Sequence, residues 1–324
     1  MAKLISTEIV GVANRPATIC DKSTCVWFDT TNEIPNLSYL VSVWATGSSI
    51  STARAGSAGA GTQNLALTFG GVGNAGNLSS AEEYNGTSWL AGGNLIAARR
   101  DLSGSGIQNC ALAIGGPGLN SVEAYNGSTW ASRNGLISTA RSISAAFGVE
   151  TATLVVGGYN SNTLAFLTSV ELYNGTTWTS VNSITTARGN HAGMGSTNAG
   201  LITGGYGNAG GTAPLSTSQE YDGSTWQSGG SLITARHSLN GAGTQNEGLV
   251  AAGRSGGTFY VCTEEYNGLS WSTSSASFPQ ALQLCGSMSG LQSAAIAPGG
   301  LSSGSSQYIT NTYFYNKNIL DIYL

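Results

Sequence analysis

Residues 137–178 read ISTARSISAAFGVETATLVVGGYNSNTLAFLTSVELYNGTTW. An Arg is followed by a stretch of small residues, SISAAFG, and then a short polar turn. The apolar run ATLVV ends at the pair Gly157-Gly158, and a variable loop leads to the alternating SVELY. Asn174-Gly175 is a hairpin signal, because that dipeptide accepts the positive φ of a two-residue turn, and Trp178 opens the last piece. Each apolar run is too short for a helix and carries the period or the turn punctuation of a strand. The stretch therefore predicts four short antiparallel strands.

The same unit recurs along the chain. Tyr-(Asn/Asp)-Gly-x-(Ser/Thr)-Trp occurs at 84–89, 125–130, 173–178, 221–226 and 266–271, with a weaker copy, YLVSVW, at 39–44. Trp44, Trp89, Trp130, Trp178, Trp226 and Trp271 stand 45, 41, 48, 48 and 45 residues apart. Arg54, Arg99, Arg141, Arg188 and Arg236 each follow a Trp by ten or eleven residues, and a Gly-Gly pair follows five of the six by 26 to 28. The unit after Trp226 has Ala252-Gly253 at that place. A Glu lies one or two residues before most of the Tyr. Self-similar units of about 45 residues with four strands each predict the blades of a β-propeller. Six Gly-pair positions predict six blades.

Composition agrees with this and excludes other classes. The chain has 324 residues with 47 Gly, 9% charged residues and 40% hydrophobic ones. The glycines have no three-residue period, which excludes collagen, and there are too few charges for a coiled coil. A net charge of −4 and a pI near 5.1 leave no basic footprint for nucleic acid or anionic membrane. No run of about 18 apolar residues predicts a membrane span, and Met1–Arg15 lacks the apolar core of a secretory signal. Cys20 and Cys25 are close enough in sequence to pair or stay free. Cys110, Cys262 and Cys285 fall in strand-like stretches, where a small buried hydrophobe is expected.

The order Arg, Gly-Gly, Glu-x-Tyr, Trp, as in ISTAR…LVVGG…SVEAYNGSTW, resembles the kelch repeat over about residues 39–320. The resemblance implies an all-β, six-bladed, kelch-like propeller with a short N-terminal extension: an arm or cap at 1–38 and the propeller at 39–324. The sixth unit departs from the pattern. Gln280-Ala281 stands where Arg is expected, and no Trp follows Tyr315-Asn316. The orphan strand 39–44 is therefore expected to complete blade six and remove two open edges, with the tail NILDIYL as its competitor for that place. Strings such as EYNGTSW and LITARHSLNGAGTQNEGLVAAG also resemble kelch-like proteins of tailed bacteriophages. That resemblance implies a virion protein of tail, fibre, baseplate or head decoration. Its partners would be other virion proteins, a host-surface glycan or protein, or further copies of itself, without nucleic acid or membrane insertion.

The repeated Trp, Tyr, Arg and Glu invite reading as a catalytic set until they are counted. A catalytic group is unique, whereas these recur in every unit, so they are expected to fill and tie the spaces between sheets. His191 and His237 both follow a repeat Arg. They could hold copper, as in galactose-oxidase-like propellers, or be structural, the reading favoured here. Zinc spacing, a Ser-His-acid set and a close acidic pair are absent from the sequence, so no cofactor, metal or catalytic residue is expected. An enzyme of copper-oxidase or sugar-processing type and a free carbohydrate-binding module are the competing readings. Asn85, Asn126 and Asn174 lie in N-x-(Ser/Thr) triplets that their turn role explains. Binding is expected on the loops after each unit's second strand, at 72–80, 117–121, 159–169, 206–218, 254–262 and 301–311. These vary in length and carry Tyr159, Phe166, Tyr206, Phe259, Tyr260 and Tyr308.

Overall fold

The computed structural model describes residues 18–20, 24–28, 35–133, 137, 139–207, 213–283, 288–303 and 307–323, with side chains from 40 to 318. All regular elements among them are strands. The chain forms two compact units, Met1–Val43 with Lys317–Leu324, and Trp44–Asn316. These boundaries fall a few residues inside those read from the repeat, and the C-terminal residues belong with the N-terminal ones.

The larger unit is a six-bladed β-propeller. Blade one is the antiparallel sheet Ala58–Gly61, Ala66–Phe69, Ala81–Tyr84 and Trp89–Ala91. Blade two runs from Ser103–Ile107 to Trp130–Ser132, blade three from Ala145–Val149 to Trp178–Val181, blade four from Ala192–Ser196 to Trp226–Gly229, and blade five from Asn240–Gly243 to Trp271–Thr273. Second strands are buried on both faces, as in Leu154, Val155 and Val156, each 0% exposed. This is why they read as continuous apolar runs rather than alternating ones.

Blade six is assembled from both ends of the chain. Its sheet runs Ser289–Leu291, Ala294–Pro298, Thr312–Tyr323 and then Pro35–Gly47. Trp44 lies on Tyr315 at 5.0 Å between ring centroids. Tyr84–Trp89 at 5.2 Å and Tyr266–Trp271 at 5.0 Å have the same spacing within their own blades. Trp44 thus fills the ring position that the sixth unit lacks. It also meets Phe278 edge-on at 4.6 Å, and its Nε1 donates to Thr263 Oγ1 of blade five at 2.9 Å. The tail residues up to Tyr323 continue the third strand instead of forming the outer one. In the smaller unit, Thr18–Cys20 and Thr24–Phe28 form a hairpin whose register sets Cys20 opposite Cys25.

The Asn-Gly turns are longer than a two-residue hairpin. Tyr84 pairs with Trp89, so four residues make the turn. Asn85 Oδ1 accepts from the amides of Thr87 and Ser88 at 3.0 and 2.9 Å, and Gly86 takes φ 91°. The Asn side chain caps the longer loop in place of a strand bond, and the glycine supplies the left-handed step. Asp222 does the same in blade four, accepting from the amides of Ser224 and Thr225. These hydrogen bonds hold its carboxyl below the ordinary range.

Candidate functional site

The repeated charges are consumed in holding the ring. Arg54 Nη2 meets Glu82 Oε1 at 2.9 Å, and Arg236 meets Glu264 at the same distance. Arg99–Glu123 and Arg141–Glu171 pair likewise. Each of these Arg also donates to the carbonyl of the first residue of its blade's Gly pair, as Arg54 does to Gly70 O at 3.0 Å and Arg236 to Ala252 O at 3.0 Å. The second Gly donates across to the next blade, as Gly71 does to Arg99 O at 2.8 Å. A Cβ on Gly70 would lie 2.9 Å from that same oxygen, and both glycines have positive φ, so the close approach favours glycine, although blade five holds Ala252 at φ 56° in the first place.

Adjacent glutamates part company, as strand neighbours must. Glu82 turns to its own Arg, while Glu83 accepts from Tyr125 OH of the next blade. Glu264 and Glu265 divide in the same way between Arg236 and Tyr315. Two blades depart together with their partners. Blade six replaces the ion pair by a neutral one, Tyr313 OH donating to Gln280 Oε1 at 2.8 Å. Blade four keeps Arg188, 0% exposed, but has Gln219 in the place of the Glu. Among the described residues Arg188 has no carboxylate partner, and burial pushes it down to about 10, still charged at neutral pH.

A further tie was not legible as such. Gln63, Gln108, Gln245 and Gln292 sit in the turns after the first strands, read above only as turns. Each sends its Nε2 to two carbonyls of the preceding blade, as Gln108 does to Ala66 O at 3.0 Å and Tyr84 O at 2.7 Å. Gln108→Ala is expected to leave these two buried carbonyls unbonded and cost about 1–3 kcal/mol. Urea unfolding with an unchanged slope is the check.

The axis carries a second feature that side-chain patterns conceal. Gly56, Asp101, Ile143, Asn190 and Ser238, each two residues after a repeat Arg, all have φ between 49° and 59°. Their backbones link blade to blade: Asp101 N to Gly56 O at 2.7 Å, Ile143 N to Asp101 O at 2.8 Å, Asn190 N to Ile143 O at 2.8 Å, and Ser238 N to Asn190 O at 2.9 Å. Inside this ring lies an opening lined by Asp101, Asn190, His191, Ser238 and Asn240. It shares His191 and Asn240 with an axial cavity of about 70 Å³. Burial raises the Asp101 carboxyl above its ordinary range, opposed by Arg100, 3.3 Å away.

The two histidines differ. His237 Nδ1 lies 2.9 Å from Ser238 Oγ, and burial with Arg254 nearby pushes the ring down to about 4. His191 is buried, and among the described residues neither ring nitrogen has a hydrogen-bond partner. Burial, aided by the charge of Arg188, pushes it down to about 3. The unfolded chain therefore binds a proton near pH 6.5 that the folded chain refuses until about pH 3. Stability is full above 6.5 and falls as the pH drops toward 3, by about 1.4 kcal/mol per pH unit. Comparing the pH dependence of unfolding of the wild type and His191→Gln should show a shallower acid slope in the variant.

Three of the six expected loop aromatics come together. Tyr159 and Phe166 pair across a small loop hairpin at 5.1 Å, Phe166 meets Tyr206 of the next blade edge-on at 5.1 Å, and Tyr206 meets His237 at 4.6 Å. All three rings are half-buried. Phe259 lies under the Arg254 guanidinium at 5.9 Å. Tyr260 and Tyr308 are half-buried and stand outside the row. Parts of two expected loops, 208–212 and 304–306, lie outside the described residues, as does Cys285. Cys110 and Cys262 are free thiols, half-buried rather than buried as expected. Cys262 Sγ accepts from Arg236 at 2.9 Å, and Cys110 lies 3.6 Å from Glu150. Among the described residues no group of three His, Cys, Asp or Glu is placed to hold a metal.

The fold has solved counterparts. The structure of YjhT superposes with a TM-score of 0.71, covering 84% of this chain and 99% of that one, at 12% identity. At that identity the likeness is one of fold: a β-propeller. No protein-family model matches the chain, and no curated protein does. Three features, Arg188 without a carboxylate partner and His191 with two unpartnered nitrogens among the described residues, and the aromatic row, gather at blades three to five.

Proposed function

We propose that this chain is a non-enzymatic structural and binding protein of a tailed-bacteriophage virion, built from kelch-type repeats. Its loop face meets the host surface or neighbouring subunits. The row Tyr159–Phe166–Tyr206 carries the reading. It places partly exposed aromatic rings from two blades side by side, on loops held by a cross-braced ring, which is the arrangement recognition surfaces use. The repeat Arg and Glu, which would otherwise compete as chemical groups, are engaged in ion pairs and backbone contacts. The resemblance of the low-charge repeat strings to phage kelch-like proteins supplies the virion setting. Other virion proteins and further copies of the chain are its partners in this reading.

The test is peptide mass spectrometry of particles purified through a density gradient and washed in high salt. The chain is expected at a constant ratio to the major particle protein across the peak. Its loss from the peak, with the major protein retained, would overturn the virion assignment. The row equally suits a free carbohydrate-binding module, which would bind glycan and stay out of the particle peak.

A further inference from the structure

We infer that the axial opening on the loop face, together with the aromatic row beside it, is a binding site for a neutral sugar. A ring hydroxyl or hydroxymethyl group enters toward His191 while the sugar ring rests against Phe166 and Tyr206. This rests on the reading of the loop face as a recognition surface and names the ligand class it takes.

The row and the opening are one place. Asn190 lines the opening and its Nδ2 donates to Tyr206 OH at 3.1 Å. Ile143 lines it too, and a Cβ built on Gly189 would fall 2.8 Å from Ile143 Cδ1 and 3.1 Å from Phe166 Cε1. Tyr206 abuts His237, whose neighbour Ser238 also lines the opening. An apolar wall thus stands beside a polar mouth.

His191 sets the chemistry. A buried imidazole whose two nitrogens are unpartnered among the described residues calls for a ligand or ordered water. Held neutral, the ring offers one N–H donor and one bare acceptor. A hydroxyl group, which both donates and accepts, satisfies such a ring as an ion of one sign cannot. The charge of Arg188, unpaired with any carboxylate among the described residues, opposes a cation at this point, and the Asp101 carboxyl at the mouth, with Arg100 3.3 Å away, presents no free positive charge to an anion. The axial cavity of about 70 Å³ admits a few water-sized groups but not a sugar ring, so the ring must stay at the rim, against the aromatic wall. Aromatic faces and edges take the apolar C–H surface of a sugar, and neutral amides and hydroxyls take its polar edge.

The chain's two histidines make the test direct. Protein labelled with carbon-13 at the histidine Cε1 gives two imidazole signals, assigned with a His237→Phe variant. Glucose, galactose, mannose and N-acetylglucosamine are titrated separately, with glucuronate and glycerol as comparisons. At least one neutral sugar is expected to shift the His191 signal saturably where glycerol does not. Tyr206→Ala is expected to weaken that titration about tenfold. A His191 signal unmoved by all four sugars, moved only by glucuronate, or moved equally by glycerol would overturn the site. Particles that contain the chain while His191 stays silent would leave the virion reading standing without this site. A sugar response from a chain absent from particles would do the reverse.

Discussion

Deleting residues 1–44, or replacing Trp44 by Ala, should lower the melting temperature. Trp44 is the outer ring of blade six in all but chain position: it covers Tyr315, meets Phe278 and donates to Thr263 of blade five. Truncating a large aromatic in such a place costs about 3 kcal/mol, which is roughly 4–5 °C in a protein of this size. The deletion goes further, because it exposes the edge of Thr312–Asn316 and leaves the ring joined only by contacts between blades one and six. Gln63 to Tyr315 O at 2.8 Å and Gly300 N to Arg54 O at 2.8 Å are two of them. The deleted form should also self-associate through its open edge. Calorimetry with light scattering reads both effects. An unchanged melt would mean that another strand closes blade six.

The second large effect is at the buried ion pairs. Glu264 accepts from Ile233 N at 2.7 Å, Thr234 N at 3.2 Å and Arg236 Nη2 at 2.9 Å, and both charged side chains are buried. Glu264→Gln leaves the guanidinium in place without its counter-charge, at a cost of about 3–5 kcal/mol. Blade four is the natural counterpart of that variant, since Gln219 already stands at the position and accepts from Thr185 N at 3.3 Å. The reverse change, Gln219→Glu, restores the carboxylate beside Arg188 and should raise stability by about 1–3 kcal/mol. Urea unfolding of the two variants should therefore move in opposite directions. A stabilised Glu264→Gln, or a destabilised Gln219→Glu, would show that desolvation of the carboxylate outweighs its pairing.

How much of this the sequence discloses depends on whether side chains carry it. The strands and blades are legible because Arg, Gly-Gly, Glu-x-Tyr and Trp recur in step, and each has a fixed task in the blade. The split of Glu82 from Glu83 follows from strand alternation alone. The axial ring of left-handed residues is not legible, because Gly56, Asp101, Ile143, Asn190 and Ser238 share a backbone conformation and no side-chain chemistry. Their constant distance from the repeat Arg is the only signal. The glutamine ties have a clearer trace, a Gln two residues after a glycine at or next to the end of the first strand in four blades, but a turn explains it too easily. The aromatic row is legible residue by residue and not as a row. Phe166 and Tyr206 belong to different blades, and sequence distance says nothing of their contact. The replacement of Arg and Glu in blade six by Gln280 and Tyr313 reads in sequence as decay of the repeat. In the fold it is an exchange of a charged pair for a neutral hydrogen bond.

A virion protein must be found on the particle. Immunogold labelling of purified particles from the source, with antibody raised against the folded propeller, is the direct measurement. Label on the head or tail is the predicted result, and its position would separate decoration from host attachment. No label, beside a positive control on a known particle protein, would contradict the virion reading.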